Sequence, residues 1–386
     1  MFYGYKYLST LAHIFFKVDD LSKIMSSMAQ PKFFGGIALC ALISLFASLL
    51  TDQFEWLARS GLGLLTIAII VGMAIGNTPF FKSFIENLSP GFQFAKQRVL
   101  RVGIILYGFR LTIQDISDVG MIGAVIDLMV FISTFALAVF FGIRYFKLDK
   151  DIAILIGAGS AICGAAAILA TEPVVKAKNE KVAVAISTVV IFGTISIFAY
   201  PLLFNFAQSF VSDSKFPLQF GVYIGSTVHE VAQVLAAAKS VGGDVADTAV
   251  ITKMMRVMML GPFLLALSIY LNFAESHRQS RVILENHHSL PKKNILIAAI
   301  PWFVVLFIVA IGINSASLVS APWVNRLVTL DNFLLAAAMG GLGLTTQFSV
   351  IRNAGVKPLC LALILFIWLI LGGGVINILV TRLLQA

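Results

Sequence analysis

The chain has 386 residues, of which 59% are hydrophobic and 12% are charged, and its formal net charge is +9. Soluble domains carry about twice that share of charged residues, so the composition excludes an ordinary soluble fold, in agreement with a mean hydropathy of +0.94. The basic residues are concentrated in short loops between apolar segments, which is typical of the cytoplasmic loops of membrane proteins and argues against nucleic acid as a partner. We therefore predict an all-α polytopic membrane protein that lies in the lipid bilayer.

Residues 1–32 mix basic and acidic side chains and lack the charged, apolar and small-residue pattern of a cleaved signal peptide. We expect a cytoplasmic N-terminal tail there, followed by a single integral membrane domain over 33–386. The polar interruptions inside this domain are short, so we expect no large soluble domain.

About eleven apolar segments follow the tail, and about 20 apolar residues are enough to cross the hydrocarbon core. In chain order the segments are 33–50, 61–77, 98–114, 120–143, 151–171, 182–206, 218–238, 247–272, 294–315, 329–348 and 356–381. Loops rich in Lys and Arg are assigned to the inside of the membrane. This rule places the N-terminus in the cytoplasm and the acidic loops around Asp52 and Asp115 outside.

Two segments, 151–171 and 218–238, do not fit a simple alternation of sides. If 151–171 crosses the membrane, Lys176, Lys178 and Lys181 fall outside, against the positive-inside tendency. If it is re-entrant, these lysines stay inside, and 218–238 then turns back from the other side. The charges favour two re-entrant segments, and broken helices that cross fully are the alternative left open.

Two similar stretches of sequence indicate an internal repeat. The stretch GFRLTIQ at 108–114 resembles GLGLTTQ at 341–347, with Gly, Leu, Thr and Gln in register. Because the two stretches end segments of opposite direction, they predict inverted repeats, roughly 61–206 and 218–381. The polar residues of this repeated motif are secondary site candidates: Arg110, Gln114, Thr345, Thr346 and Gln347.

Several charged residues lie inside apolar segments, among them Arg110, Asp127, Lys253 and Arg256. For Arg110 and Asp127, which have opposite signs, a structural ion pair is the simplest explanation. Lys253 lies near the start of its segment, so we expect its side chain to snorkel to the surface. Arg256 lies deeper and is expected to bind Glu230 or an anionic substrate.

The stretch GAGSAICG at 157–164 is the main candidate for anion binding. Unwound backbone at membrane depth is tolerated only inside protein or beside a water-filled cavity, and amides at helix starts attract anions. Close helix packing through the small residues is the alternative. The predicted substrate-binding residues are Gly157, Gly159, Ser160, Cys163, Gly164, Ser226, Thr227 and Arg256.

His229, Glu230 and Gln233 are the candidates for coupling or gating. Ionisable groups in an apolar segment are costly to keep, and a histidine can change its charge near neutral pH. The alternative is a structural His–Glu pair that joins two helices.

No metal or cofactor is expected. Cys40, Cys163 and Cys360 lie in three different apolar segments without metal or disulfide spacing. The zincin motif requires a second histidine where Gln233 stands, and the chain contains no Gly-rich nucleotide-binding motif. Direct ATP drive is therefore not expected.

Five blocks carry a resemblance to a known family: GSAICGAAAILATEPVVKA, VAVAISTVVIFGTISIFAYPLL, YIGSTVHEVAQVLAAA, ITKMMRVMMLGPFLL and GLGLTTQ. Together, from around residue 33 to the C-terminus, they resemble the YeiH-like sulfate exporter family of bacterial inner-membrane proteins. That family is similar in turn to the cation:proton antiporter and anion transporter superfamily. The resemblance implies inverted repeats, interrupted helices that cross each other and span, and elevator-like alternating access.

We therefore predict a secondary transporter, not an enzyme, that exports small anions across the bacterial inner membrane, with sulfate or related sulfur oxyanions favoured. Protons or sodium are the candidate coupling ions, and the sequence is compatible with a homodimer. An anion channel is the first alternative. An intramembrane enzyme using Cys163 or His229 is less favoured, because no nucleophile, base and orienting group occur together.

Overall fold

The computed structural model describes residues 31–54, 63–79, 82–211, 213–279, 302–346 and 355–385. Within these ranges the protein is almost entirely helical and contains no strand, which confirms the all-α prediction. Six described helices are long and apolar enough to cross a membrane: 31–53, 119–145, 180–208, 243–271, 321–345 and 356–384. They support a multi-spanning architecture, while the larger predicted number of segments stays a prediction. Most of the predicted N-terminal tail and Gln347 lie outside the described residues.

The α-helices in chain order are α1 (Pro31–Gln53), α2 (Leu64–Gly76), α3 (Lys82–Phe94), α4 (Leu100–Tyr107), α5 (Ile113–Phe140), α6 (Lys150–Ala158), α7 (Ala165–Val175), α8 (Asn179–Gln208), α9 (Phe216–Thr227), α10 (Val231–Lys239), α11 (Gly243–Met258), α12 (Leu260–Gln279), α13 (Trp302–Ser315), α14 (Ala321–Thr345) and α15 (Val356–Gln385). Short π-helical turns follow α3 at Ala95–Val99, α5 at Phe141–Tyr145 and α6 at Gly159–Cys163, and a 3₁₀ turn at Gly108–Arg110 follows α4.

The chain divides into two compact units. The first contains 1–112 and 302–347, and the second contains 113–301 and 348–386. The two copies of the repeated motif, at 108–114 and 341–347, both lie where the chain passes from the first unit to the second. The inverted repeats themselves stay a prediction.

In the first unit, α2 and α14 pack through glycines. A Cβ atom added to Gly76 would lie 2.6 Å from the carbonyl oxygen of Leu344, and one added to Gly343 would overlap the carbonyl oxygen of Ile69. Small residues of this kind let two helix backbones approach closely. The second copy of the repeated motif therefore has a packing role within this unit.

Arg110 also has its partners within the first unit. Its Nε donates to Oδ2 of Asp331 at 3.2 Å, and its Nη2 donates to Oδ1 of Asn332 at 2.8 Å. The expected ion pair between Arg110 and Asp127 is therefore wrong. Asp331 follows 221 positions later in the chain, and a pairing over that distance cannot be read from local spacing.

In the second unit, α6 and α7 form a hairpin, which we call the first hairpin. Nζ of Lys181, at the start of α8, lies 2.6 Å from Oδ2 of Asp149 and 2.8 Å from Oδ2 of Asp151, at the start of α6. The chain therefore returns to the level at which the hairpin began. It turns at Gly164, whose φ of +70° and ψ of −135° suit only glycine. The expectation that segment 151–171 turns back is confirmed.

Helices α9 and α10 form the second hairpin. Gly221 of α9 packs against Thr248 of α11, and Gly225, one turn later, packs against Thr252. Helices α9 and α11 thus run side by side in the same direction. Since α10 lies between them in the chain, it has to run back, and the turn is made by extended backbone at 228–230. Segment 218–238 also turns back.

The two hairpins lie along opposite halves of α8. The first hairpin and the beginning of α8 share one apolar cluster, which includes Ile152, Leu155, Ile156, Ile168, Val182, Ala185 and Val189. The second hairpin and the end of α8 share another, which includes Tyr200, Phe204, Phe220, Tyr223 and Val234. Gly193, near the middle of α8, contacts the side chain of Gln233. The hairpins therefore meet beside the middle of this helix, which is about 45 Å long.

One expectation from the superfamily resemblance is wrong. The resemblance implies interrupted helices that cross each other and span, but both interrupted segments turn back on themselves. The physical reason lies in the backbone: Gly164 has a positive φ and the chain at 228–230 is extended, so each half-helix reverses its direction at the break.

Candidate functional site

Each hairpin has a tip where regular helical hydrogen bonding stops: 159–165 is the first tip and 227–231 is the second tip. The helix that enters a tip ends in carbonyl groups without helical partners, and the helix that leaves it begins with free amides. Each tip therefore presents the negative end of one helix dipole and the positive end of another. Such groups need partners at membrane depth.

Two cations of α11 bind the carbonyl groups. Nζ of Lys253 donates to the carbonyl oxygens of Ile162, at 2.8 Å, and Val228, at 2.7 Å, so that one ammonium joins both tips. Nε of Arg256 donates to the carbonyl oxygen of Ala161 at 2.6 Å. Both side chains are 0% exposed, so the expectation that Lys253 snorkels to the surface is wrong. The negative ends of two helices hold it inside the protein.

Glu230 binds the opposite ends of the half-helices. Its Oε1 accepts a hydrogen bond from the amide of Ala165, the first residue of α7, at 3.1 Å. It also caps α10 by accepting from the amide of Gln233, whose own side-chain Oε1 accepts from the amide of Glu230 at 3.1 Å. A Cβ atom at Gly164 would overlap Cγ of Glu230. One carboxylate thus compensates the positive ends of two helices.

These contacts bear on the predicted anion site. Glu230 binds one amide at the start of each helix, that of Ala165 in α7 and that of Gln233 in α10, so an anion could use these two amides only if that carboxylate moved away. The stretch before the tip is also less unwound than expected, since Gly157 lies in α6 and 159–163 form a π-helical turn.

Several buried polar atoms around the tips have no hydrogen-bond partner among the described residues. They are Nη1 and Nη2 of Arg256, Oγ of Ser160, Nδ1 of His229 and Nε2 of Gln233. More than nine in ten buried polar groups in proteins are hydrogen-bonded, so a cluster of unpaired ones is a candidate place for binding a polar ligand. Most of these atoms belong to donor groups.

Asp127 on α5 is a further buried polar group that the sequence analysis did not assign to the site. It is 0% exposed, and neither of its carboxylate oxygens has a hydrogen-bond partner in the described part of the chain. Its helix packs against α11, which carries Lys253 and Arg256. Its signal in the sequence is a lone acid in an apolar segment, which is a functional hypothesis by default in membrane proteins.

Two predicted substrate-binding residues of the second hairpin already have partners. Oη of Tyr200 donates to Oγ1 of Thr227 at 2.8 Å. Nδ2 of Asn377 donates to Oγ of Ser226 at 3.2 Å. Both residues are buried, and they line the second hairpin next to its tip.

The remaining predicted residues of the first hairpin have tight surroundings. A Cβ atom at Gly157 would lie 2.8 Å from Cβ of Ala138, and one at Gly159 would lie 2.7 Å from Cδ1 of Ile168. These contacts agree with the packing alternative for both glycines. Cys163 lies in the first tip and is 6% exposed.

The secondary candidates are not all brought together. Arg110, Thr345 and Thr346 belong to the first unit, whereas Gln114 lies at the start of α5 in the second. Within the described ranges, no group of three or more His, Cys, Asp or Glu side chains could hold a metal ion.

Comparison with known proteins identifies relatives over most of the chain. The family model described as conserved hypothetical protein 698 matches residues 35–362. The chain is 50% identical over 348 residues to the UPF0324 inner membrane protein YeiH of Escherichia coli (strain K12), which covers 89% of this chain and 93% of that protein. It is 50% identical over 364 residues to a UPF0324 membrane protein of Yersinia pestis, covering 94% and 97%. For YeiH of Salmonella typhimurium the identity is 49% over 355 residues, covering 91% and 95%. The chain therefore belongs to the UPF0324 family of membrane proteins, the family of YeiH.

Proposed function

We propose that the protein is a secondary transporter that exports small anions by alternating access, with sulfate or a related sulfur oxyanion as the favoured cargo. The observation that carries this proposal is the guanidinium of Arg256. It is fully buried beside the first tip, and neither of its terminal nitrogens has a hydrogen-bond partner among the described residues. A buried charge without a partner is costly, and a planar fork of free N–H groups matches two oxygens of an oxyanion.

Other side chains at the tips add donors for an anion. Nε2 of Gln233 has no hydrogen-bond partner among the described residues, while its Oε1 is used by the cap of α10. The hydroxyl of Ser160 can donate, and so can Nδ1 of His229 in the appropriate tautomer. A tetrahedral oxyanion has enough acceptor oxygens to bind several of these donors at once.

The opposed hairpins support alternating access. Each hairpin reaches the middle of α8 from a different end, and the tips meet there through Lys253. If one hairpin moves away from the tip cluster, the site opens toward one end of α8 while the other hairpin still closes the opposite end. Sites at the interface of opposed broken helices are typical of secondary transporters.

We assign gating to the second tip. Glu230 joins the start of α7 to the start of α10, and Gln233 completes the cap. Opening the hairpins has to break the bond between Glu230 and the Ala165 amide, so this carboxylate is suited to act as a latch. His229 lies beside it, its Nδ1 has no partner in the part of the chain that the structure describes, and it can respond to the coupling ion, a proton or sodium.

The surface charges support the proposed orientation in the bacterial inner membrane. The base of the first hairpin and the loop before it carry a set of basic residues: Arg144, Lys147, Lys150, Lys176, Lys178 and Lys181. The base of the second hairpin carries fewer basic residues, Lys215 and Lys239, together with Asp213 and Asp244, while the first base also carries Asp149 and Asp151. By the positive-inside tendency the first hairpin starts from the cytoplasmic side, which is consistent with a cytoplasmic N-terminus.

Binding of sulfate to the purified protein tests the proposal. We expect sulfate to raise the melting temperature of the wild-type protein. Arg256→Lys keeps the charge and a donor for Ala161 but loses the fork, so it should bind sulfate about 10–100-fold more weakly, as expected for the loss of one or two charge-assisted hydrogen bonds. Arg382→Gln removes an exposed arginine and serves as the control. Equal sulfate affinity in all three proteins would move the anion site away from Arg256.

A channel and an enzyme remain as alternatives with separate signatures. A channel would conduct in proportion to the gradient without saturation, and it would show no exchange of internal for external anion. An intramembrane enzyme would use Cys163 or His229, and it would turn over a substrate in detergent solution without a gradient.

A further inference from the structure

The carboxylate of Asp127 lies in an unusual place for a charged group. It is completely buried in α5, an otherwise apolar helix, and both of its oxygens lack a hydrogen-bond partner among the described residues. An isolated ionised carboxylate in such surroundings is strongly disfavoured. Asp127 is therefore stable only when it is protonated or when it binds a cation.

The contacts of α5 bring the helix that carries Lys253 and Arg256 alongside Asp127. A Cβ atom at Gly123, one turn before Asp127, would lie 3.2 Å from Cε of Met255 on α11. One turn after Asp127, the ring of Phe131 lies 5.7 Å from the ring of Phe263 on α12, which continues α11 in one long span. Helix α5 thus runs beside this span, and Asp127 lies at the level of the residues that follow Met255.

The two cations near Asp127, Lys253 and Arg256, differ in how many of their donors have hydrogen-bond partners. Lys253 donates to the carbonyl oxygens of both tips. Arg256 uses only Nε, for Ala161, and its Nη1 and Nη2 have no partner in the described structure. A carboxylate without a partner and a guanidinium with two unpaired nitrogens, both in the described part of the chain, are therefore buried on helices that pack against each other.

Other titratable groups on the elements packed against α5 are few. The buried ones are Lys253 and Arg256 on α11, Cys163 in the π-helical turn and Tyr223 on α9. The less buried ones on these elements are Asp244, Asp247, Arg144, Tyr145, Lys150, Asp151, Lys357, Cys360 and Arg382. Among the buried cations of these elements in the described structure, Arg256 is the one with side-chain nitrogens that lack a partner.

We propose that Asp127 is a protonatable counter-ion of Arg256 that competes with the substrate anion for the guanidinium. When Asp127 is ionised, its two oxygens take the free N–H groups of Arg256 and exclude the anion. When Asp127 takes up a proton, it becomes neutral, Arg256 is released, and an anion binds in its place. The inference rests on the proposed anion site. It predicts that the protein takes up one proton for each anion that it binds.

The competition fixes the sign of the pH dependence. Anion affinity is highest where Asp127 is protonated, and it falls as pH rises through the titration of this group. Above that point the affinity for the anion decreases by up to about tenfold per pH unit, because Asp127 has to take up one proton for each anion that binds. Asp127→Asn has the same shape but cannot ionise, so its affinity for the anion should not depend on pH.

Isothermal titration of the purified full-length protein with sulfate at a series of pH values tests this, because sulfate is the anion of a strong acid and does not change its charge near neutral pH. We expect the wild-type affinity to fall with pH, while Asp127→Asn and Asp127→Ala bind with constant affinity. The exposed Asp213→Asn is the matched control and should behave like the wild type. An Asp127→Asn protein that keeps the wild-type pH dependence would overturn the proposal.

A second measurement separates this inference from the proposed function. If wild-type protein binds no sulfate at any pH, the anion site fails, but the pairing of Asp127 with Arg256 can be tested without any anion. In a double-mutant cycle of Asp127→Asn and Arg256→Gln, the changes in melting temperature should be non-additive at alkaline pH and additive at acid pH. Additivity at every pH would show that the pair does not form and would overturn the counter-ion role.

Discussion

Replacing Gly164 by alanine tests how the first tip is held. At φ +70° and ψ −135° a residue with a side chain is strained by about 1–3 kcal/mol. The added methyl group also overlaps Cγ of Glu230, so this carboxylate has to leave the Ala165 amide, and a hydrogen bond to a charged group contributes about 1.5–3 kcal/mol. Together the two effects predict a loss of about 2.5–6 kcal/mol in the free energy of unfolding.

The matched control is Gly261→Ala, which adds the same methyl group to a helix of the same unit. No atom lies within 4 Å of a Cβ at Gly261, and alanine favours helix over glycine by about 1 kcal/mol, so this variant should be as stable as the wild type or slightly more stable. Unfolding by denaturant in detergent micelles, followed by circular dichroism, measures both. If Gly164→Ala is as stable as Gly261→Ala, the tip is not held in the way described.

Three further changes probe the charges and the direction of the hairpins. Lys253→Met leaves the two tip carbonyls unpaired and should cost about 2–5 kcal/mol in denaturant unfolding, whereas Lys357→Met at the exposed start of α15 should cost almost nothing; equal losses would contradict the bridging role. Glu230→Gln keeps an acceptor but loses the charge at two helix starts, so a loss of about 1–2 kcal/mol is expected, and an unchanged melting temperature would argue against the latch. In a protein without native cysteines, cysteines placed at the exposed Lys178 and Asp213 should react with impermeant thiol reagents from opposite sides of the membrane. Labelling from the same side would contradict the first hairpin.

Charge bias alone predicted the direction of both interrupted segments. Lys176, Lys178 and Lys181 cannot be placed outside without opposing the positive-inside tendency, and in the structure Lys181 binds Asp149 and Asp151 at the base of the first hairpin. The resemblance to a superfamily with crossing helices pointed the other way. The charges of this chain were the better guide because they report on its own topology.

The roles of single ionisable residues were harder to predict. Helical spacing shows that Lys253 and Arg256 share a face, but it does not show that two hairpin tips bring carbonyl groups to that face. Snorkelling was therefore expected for Lys253, which instead binds Ile162 and Val228. Only the fold brings these three residues together.

Long-range pairs were beyond the sequence for a similar reason. Arg110 and Asp127 are close in the chain and opposite in sign, which favoured pairing them. In the folded protein Arg110 instead binds Asp331, and Asp127 lies beside α11. An acid in an apolar helix marks a functional candidate, but its partner is set by tertiary packing.

Counterflow of labelled sulfate in proteoliposomes tests the central claim most directly. Vesicles that contain the purified protein are loaded with unlabelled sulfate, and the uptake of a trace of labelled sulfate is followed in the wild-type protein, Arg256→Lys and Arg382→Gln. We predict transient accumulation of label that saturates with sulfate concentration in the wild type and Arg382→Gln and is strongly reduced in Arg256→Lys. Uptake that is linear in concentration and independent of internal sulfate, or equal in all three proteins, would contradict an alternating-access anion transporter built around Arg256.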